Sequence, residues 1–284
     1  MQRQQSFQNN KASLYVIASP IGNLKEISPR VIEAINDSSY VFCEDTRVTG
    51  NLLNHLNIKK PLISAYENIE KQSSLKILEH LNNNENVAFM SDAGYPGISD
   101  PGHIIIKDVF DNGFNVVVIN GPSALIQSVL VSGFDTSHFY FYGFLNPKES
   151  KRKQELESLK NFKDTIIFYQ SPHKILSCLQ DMLEVLGDRE ICICRELTKK
   201  FEEYIKGNIS EIIPICESLK GEMVIVVKGN DKKEEADIDV VLDEIENNIK
   251  ETNQKPKDVI KEIATKYNLS KNELYQAYLE RKGN

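Results

Sequence analysis

Long apolar runs are missing from this sequence. None reaches bilayer-spanning length, so no membrane-spanning helix is expected. The polar opening MQRQQSFQNNK lacks a signal peptide's apolar centre and cleavage site, and residues 1–12 read as a frayed, disordered tail on a cytoplasmic protein. Positive charge is in deficit as well: 34 Lys and Arg against 41 Asp and Glu give a net charge of −7. That balance argues against a protein that coats nucleic acid nonspecifically, while leaving room for a local basic groove. Cysteine is sparse, with five residues that are scattered and lack zinc-ligand spacing, so no metal site is expected. Cys192 and Cys194 in EICIC would share one face of a strand, which favours packing over disulfide chemistry. Walker glycine-lysine, HExxH and G-x-S-x-G motifs are all absent. P-loop phosphoryl transfer, zinc hydrolysis and serine esterase chemistry therefore fit poorly.

What is present centres on Ser91–Gly102, SDAGYPGISDPG, which follows the apolar run Val87 to Met90. Three glycines and two prolines after a short buried strand put backbone rather than side chains at the loop surface. If the strand belongs to a parallel sheet, this loop lies at the carboxyl end, where open α/β sheets bind small molecules. Asp100 and Pro101 are expected as N-cap and first residue of the next helix. An ordinary strand-to-helix turn would also need glycines, though a run this long exceeds what a turn requires.

The first half alternates short apolar strands, at Leu14–Ala18, Tyr40–Cys43, Leu62–Ile63, Val87–Met90 and Val116–Ile119, with helical stripes. The first of those helices should open with Ser28 as cap and Pro29 in its first turn. Such alternation implies a parallel sheet covered on both faces. The second half places strands at Phe139–Tyr142, Thr165–Tyr169, Ile191–Cys194, Glu202–Ile205 and Met223–Val227. A charged segment separates the first two, and a helix opened by Ser171 and Pro172 closes at Gly187. Crowding of the later strands suggests an antiparallel or mixed sheet. The expected organisation is an N-terminal α/β domain at 13–121, a second at 122–230, a charged linker at 231–237 and a helical domain at 238–284. From Lys250 onward there are eight Lys or Arg against five Asp or Glu, so this domain either docks an anionic partner or presents a solvated face.

Polar clusters fall at predicted strand ends and turns: Glu44, Asp45 and Arg47; Gly121 to Ala124; Ser171 to Lys174; and Arg195 to Lys200. An acid beside an arginine at a strand end can orient a hydroxyl or act as a base. The plainer readings are a surface ion pair at 44–47, a capping or solvated His173, and a solvated basic edge at 195–200. Convergence on one cleft would favour function.

The segments ASPIGNLKEISPR, CEDTR, SDAGYPGISDPG, GPSAL, SPHK, RELTKKFEE and GEMVIVVKG occur in that order between Leu14 and Gly229. Together they resemble the tetrapyrrole methylase superfamily and, within it, the ribosomal RNA small subunit methyltransferase I family. KDVIKEIATKYNLSKNELYQAYL is similar to that family's appended helical domain. Glu26, Asn120, Asn146, Pro147 and Gln170 depart from the usual pattern, and Gln170 weakens any case for an acid there. The resemblance implies two α/β domains with S-adenosylmethionine in the cleft between them, a homodimer, and methylation of a cytidine ribose 2′-hydroxyl in 16S rRNA of the small ribosomal subunit. By motif, the cofactor would meet Asp92, Ala93, Gly94, Pro96 and Ile98, then Ser123 and Ala124, with Tyr169 and Met223 from the second domain. Asp45 or Glu196 is expected as base or hydroxyl orienter, with Arg47, Arg195 and Lys199 holding phosphate. The alternatives are a corrinoid-type tetrapyrrole methyltransferase, which would want a wide apolar cleft, and a noncatalytic RNA-binding or ribosome-assembly factor on the same fold.

Overall fold

A computed structural model describes residues 1, 3–230, 238–252, 254–267 and 269–283. The expected linker at 231–237 lies outside the described residues. In the first half β1 (Ser13–Ile17), α1 (Pro29–Asp37), β2 (Tyr40–Cys43), α2 (Thr46–His55), β3 (Leu62–Ser64), α3 (Glu70–Asn82), β4 (Val87–Met90), α4 (His103–Asp111) and β5 (Asn115–Ile119) alternate as the apolar pattern requires. All five strands are parallel, in the order β3-β2-β4-β1-β5. β4 lies inside the sheet and every residue of it is buried. Its side chains split by the two-residue period: Val87 and Phe89 join Leu14, Val16 and Phe42 on one face, and Ala88 and Met90 join Ile17, Val41 and Ile119 on the other. Ser28 caps α1, accepting from Val31 N at 3.4 Å, with Pro29 at its first position.

The second half comprises α5 (Ala124–Ser132), β6 (Phe139–Phe144), α6 (Glu149–Leu159), β7 (Thr165–Gln170), α7 (Ile175–Leu186), β8 (Glu190–Arg195), β9 (Glu203–Asn208), α8 (Ile209–Cys216) and β10 (Met223–Val227). Its sheet runs β6-β7-β10-β8-β9 and is mixed, with β6 parallel to β7 and the remaining pairs antiparallel. The fold is therefore α/β, two sheets with helices between and around them. α5 packs through Val129 on Ile167, Cys192, Cys194 and Val226 of the second sheet, and Ile21 from the loop after β1 joins the same cluster.

Three departures from expectation have clear causes. α4 starts at His103 rather than at Pro101, behind a Gly102 cap that makes no side-chain bond. The buried Glu70 of α3 instead accepts from Gly102 N at 2.8 Å and Ile104 N at 2.9 Å. The charged segment after β6 is helix α6, where a buried Arg152 pairs with Asp181 of α7. The segment expected to fray carries side-chain bonds to β5: Gln4 pairs with both backbone groups of Val116, and Asn9 with Asn115.

Residues 230–284 form a separate compact unit. Within it α9 (Ile238–Thr252), α10 (Pro256–Lys266) and α11 (Lys271–Gly283) enclose a core of Val241, Leu242, Ile245, Ile260, Leu274 and Tyr278.

Candidate active site

Three loops at the carboxyl ends of β1, β4 and β5 are tied together by backbone. Ser19 and Gly94 exchange both N–H···O bonds, at 2.8 and 3.0 Å. The Tyr95 hydroxyl accepts from Gly121 N at 3.1 Å and donates to Gly121 O at 3.2 Å. Gly121 is held so close to the β1 loop that an added Cβ would lie 2.9 Å from Ala18 Cβ, so only glycine fits there. Gly102 closes the long loop at φ +148°, where an added Cβ would meet Gly97 N at 2.8 Å.

These loops form one wall of a cavity of about 560 Å³, and the second sheet forms the other. Of the residues expected to hold a cofactor, Ala93, Gly94, Ile98, Ser123, Ala124, Tyr169 and Met223 all line it. Ser123 also caps α5, accepting from Ile126 N. Two others lie elsewhere. Asp92 turns to β2, where it accepts from Asp45 N at 3.1 Å. Pro96 lines a different cavity, beside His103 and Phe110. Leu125, Phe144, Val224 and Leu197 add apolar wall, and Asp100 and Glu222 are the carboxylates on its lining.

None of the five residues expected to act on the acceptor lines this cavity. Asp45 and Arg47 form an ion pair at 2.5 Å with the arginine side chain 87% exposed. The Arg47 side-chain and backbone bonds hold the Asp45 carboxyl down at about 2. Arg195 is bonded to Glu203 and to Lys220 O. Lys199 bridges Glu196 at 3.0 Å and Glu222 at 2.9 Å, and Glu196 also accepts from Glu222 N. Burial pushes the Glu196 carboxyl up, but these bonds more than reverse that and leave it below the usual range. The basic cluster thus reaches the cavity through Glu222.

An acidic set surrounds the ends of β2 and β4. Burial raises Glu44 and Asp92, and each is raised further by neighbouring carboxylates. Burial, reinforced by Glu44 and Asp92, pushes Asp100 up to about 6. Tyr169 across the cavity is raised by its own burial and then by Asp100. Sequence reasoning missed Asp100 as a site residue because an Asp before Pro at a helix start reads as a cap.

Comparison with known proteins agrees with this architecture. Residues 13–213 match the family model for Tetrapyrrole (Corrin/Porphyrin) Methylases. The chain is 40% identical to the Ribosomal RNA small subunit methyltransferase I of Bacillus subtilis (strain 168), over 98% of both chains. It is 42% identical to the protein of that name from Thermotoga maritima, which is covered over 99% of its length while matching 77% of this chain. Among solved structures, Uroporphyrin-III C-methyl transferase from Thermus thermophilus, complexed with S-adenyl homocysteine, superposes with a TM-score of 0.55 at 15% identity, covering 76% of this chain and 97% of that one. The chain belongs to the tetrapyrrole methylases and, within them, to the ribosomal RNA small subunit methyltransferase I family.

Proposed function

We propose that this protein transfers the methyl group of S-adenosylmethionine to the ribose 2′-hydroxyl of a cytidine in 16S rRNA of the small ribosomal subunit, in the cytoplasm and as a homodimer. The observation that carries this reading is the meeting of seven motif residues from separate segments on one cavity, in a chain whose relatives are named for the small-subunit rRNA. The residues present suit the donor. The small residues of the turns at Ala93–Gly94 and Ser123–Ala124 allow backbone to approach it, Ile98, Tyr169 and Met223 offer apolar contact, and Asp100 with Glu222 gives the lining a negative bias toward a cation. When bound, S-adenosylmethionine supplies an electrophilic methyl group on a positively charged sulfur.

The protein's own contribution is then alignment and exclusion of water. Methyl transfer to oxygen needs acceptor, carbon and sulfur in line, and two walls from separate sheets can fix donor and acceptor independently. Arg47, exposed beside Asp45, would grip a backbone phosphate while Asp45 orients its guanidinium. Arg195 and Lys199 would do the same only by exchanging Glu203 and Glu222 for phosphate, which makes them suited to an induced grip. The dimer is supported by exposed Ile126, Leu130 and Val131 on α5, with Phe201 and Tyr204 also exposed.

Mass spectrometry of rRNA from a deletion strain tests the reading. Loss of one cytidine ribose methyl, restored by the purified chain with S-adenosylmethionine, is expected. Unchanged rRNA would contradict it and favour a tetrapyrrole substrate or a noncatalytic role.

A further inference from the structure

The end of β6 is shaped to present one ring. Phe141 stands opposite Ile167 of β7, but Gly143 rather than Tyr142 follows opposite Phe168, and Phe144 lies opposite Tyr169. Tyr142 is thus the extra residue of a β-bulge, which turns Phe144 onto the face of Phe141 where strict alternation would send it to the other. Gly143 takes φ +84°, and a Cβ there would lie 3.3 Å from Ser99 Oγ, so the bulge sits tight against the loop after β4. Phe144 therefore lines the cavity while 58% of it stays exposed. Tyr169 braces it from one side, edge to face at a centroid distance of 5.6 Å. β6 is also the edge strand of its sheet. No lysine or arginine lines the cavity among the described residues, but the segment after β6 supplies cations of two kinds. Arg152 is tied to Asp181, and Lys153 to Glu149 and Glu184. Lys148 and Lys151 are exposed, as is Lys174 after β7, and among the described residues no hydrogen bond or ion pair engages these three ammonium groups. β6 and β7 run parallel, so all three follow the same end of the sheet as Phe144.

We infer that Phe144 is the platform on which the base of the acceptor nucleotide stacks, with Lys148, Lys151 and Lys174 holding flanking phosphates, an assignment that rests on the function proposed above. A ribose hydroxyl reaches a methyl group inside a cavity only when its nucleotide leaves the RNA stack, and the extruded base then loses contact with its neighbours. An exposed aromatic ring at the cavity wall replaces one of those contacts. Lysines, as point charges on flexible stems, follow the phosphate backbone without reading sequence. The occupant is the acceptor base rather than the donor's adenine for two reasons. The backbone turns suited to the donor, Ala93–Gly94 and Ser123–Ala124, belong to other segments of the wall, and uncommitted cations after the edge strand suit a polyanion, not a sulfonium.

The test compares the full-length wild type with Phe144→Ala, Phe144→Leu and Phe144→Trp, and with the double variant Lys148→Gln/Lys151→Gln. Single-turnover methylation of small ribosomal subunits from a strain lacking this protein gives the half-saturating subunit concentration, and calorimetry gives S-adenosylhomocysteine affinity. Phe144→Ala and Phe144→Leu should each raise the half-saturating concentration by about fivefold or more, with cofactor affinity held within about threefold. Phe144→Trp, which restores a stacking face that leucine does not, should stay close to wild type. The lysine variant should flatten the dependence of log affinity on log salt by about 0.7 per residue. A smaller rise for Phe144→Ala, Phe144→Leu that performs as well as Phe144→Trp, or cofactor affinity that falls in step with subunit affinity would each overturn the stacking role. An unchanged salt slope would overturn the phosphate contacts. Wild-type protein that methylates no ribose overturns the functional reading itself, whereas active wild type with equally active Phe144→Ala overturns only the role of Phe144.

Discussion

Asp100 leaves a signature in stability. Its carboxyl holds a proton up to about 6 in the folded chain but only to about 4 when unfolded. The folded state therefore benefits from this group fully below pH about 4 and loses that benefit as pH rises through about 6. Asp100→Asn, which mimics the protonated form, should raise Tm at pH 8 and leave it nearly unchanged near pH 4. Calorimetry of the cofactor-free chain reads this, and equal shifts at both pH values would refute it. A different buried acid has the opposite character. Asp181 is 7% exposed and accepts from Arg152, itself 6% exposed, at 2.5 Å, so removing one partner strands a charge. Asp181→Ala should cost about 3–5 kcal/mol in urea unfolding, whereas replacing both residues with apolar side chains of similar volume should cost much less.

At the level of elements, the loop Ser91–Gly102 depends on α3 as well as on its own glycines. Glu70 supplies the acceptor that α4 lacks, holding the Gly102 and Ile104 amides. Glu70→Ala should lower stability by about 1–3 kcal/mol and weaken S-adenosylhomocysteine binding several-fold, because the cavity wall loses its anchor. A variant that loses stability with unchanged affinity would show that the loop holds itself. This cap was illegible in the sequence, since a glutamate 32 residues upstream carries no local signal and Asp100-Pro101 imitates a helix start. α6 was equally hidden: in ESKRKQELESL the buried stripe includes Arg152, so the apolar period is broken. α8 is short and contains Pro214. By contrast the parallel sheet could be read directly, because strands buried on both faces must be apolar throughout, as Val87–Met90 are. Ala93, Gly94, Ser123 and Ala124 were legible through the family resemblance, which singled out residues on turns that bring backbone to the surface. What spacing could not reveal was partner choice, which turned Asp92 toward Asp45 and tied Lys199 to Glu196 and Glu222.

For the whole molecule, the α/β body and the helical unit are separate in construction, each with its own core. The Thermotoga relative, covered almost completely while matching 77% of this chain, is a shorter protein. A chain ending at Asn230 should therefore fold and bind S-adenosylhomocysteine with unchanged affinity; calorimetry giving a tenfold weaker complex would tie the helical unit to the cofactor. The central claim is that loops from the first sheet and side chains from the second enclose one donor site. The most direct measurement is a crystal structure of the chain with S-adenosylhomocysteine. The account predicts the ligand in the cavity, against the backbone of Ala93–Gly94 and Ser123–Ala124 and beside Tyr169 and Met223. Ligand bound outside that cavity, or in contact with one sheet only, would contradict it.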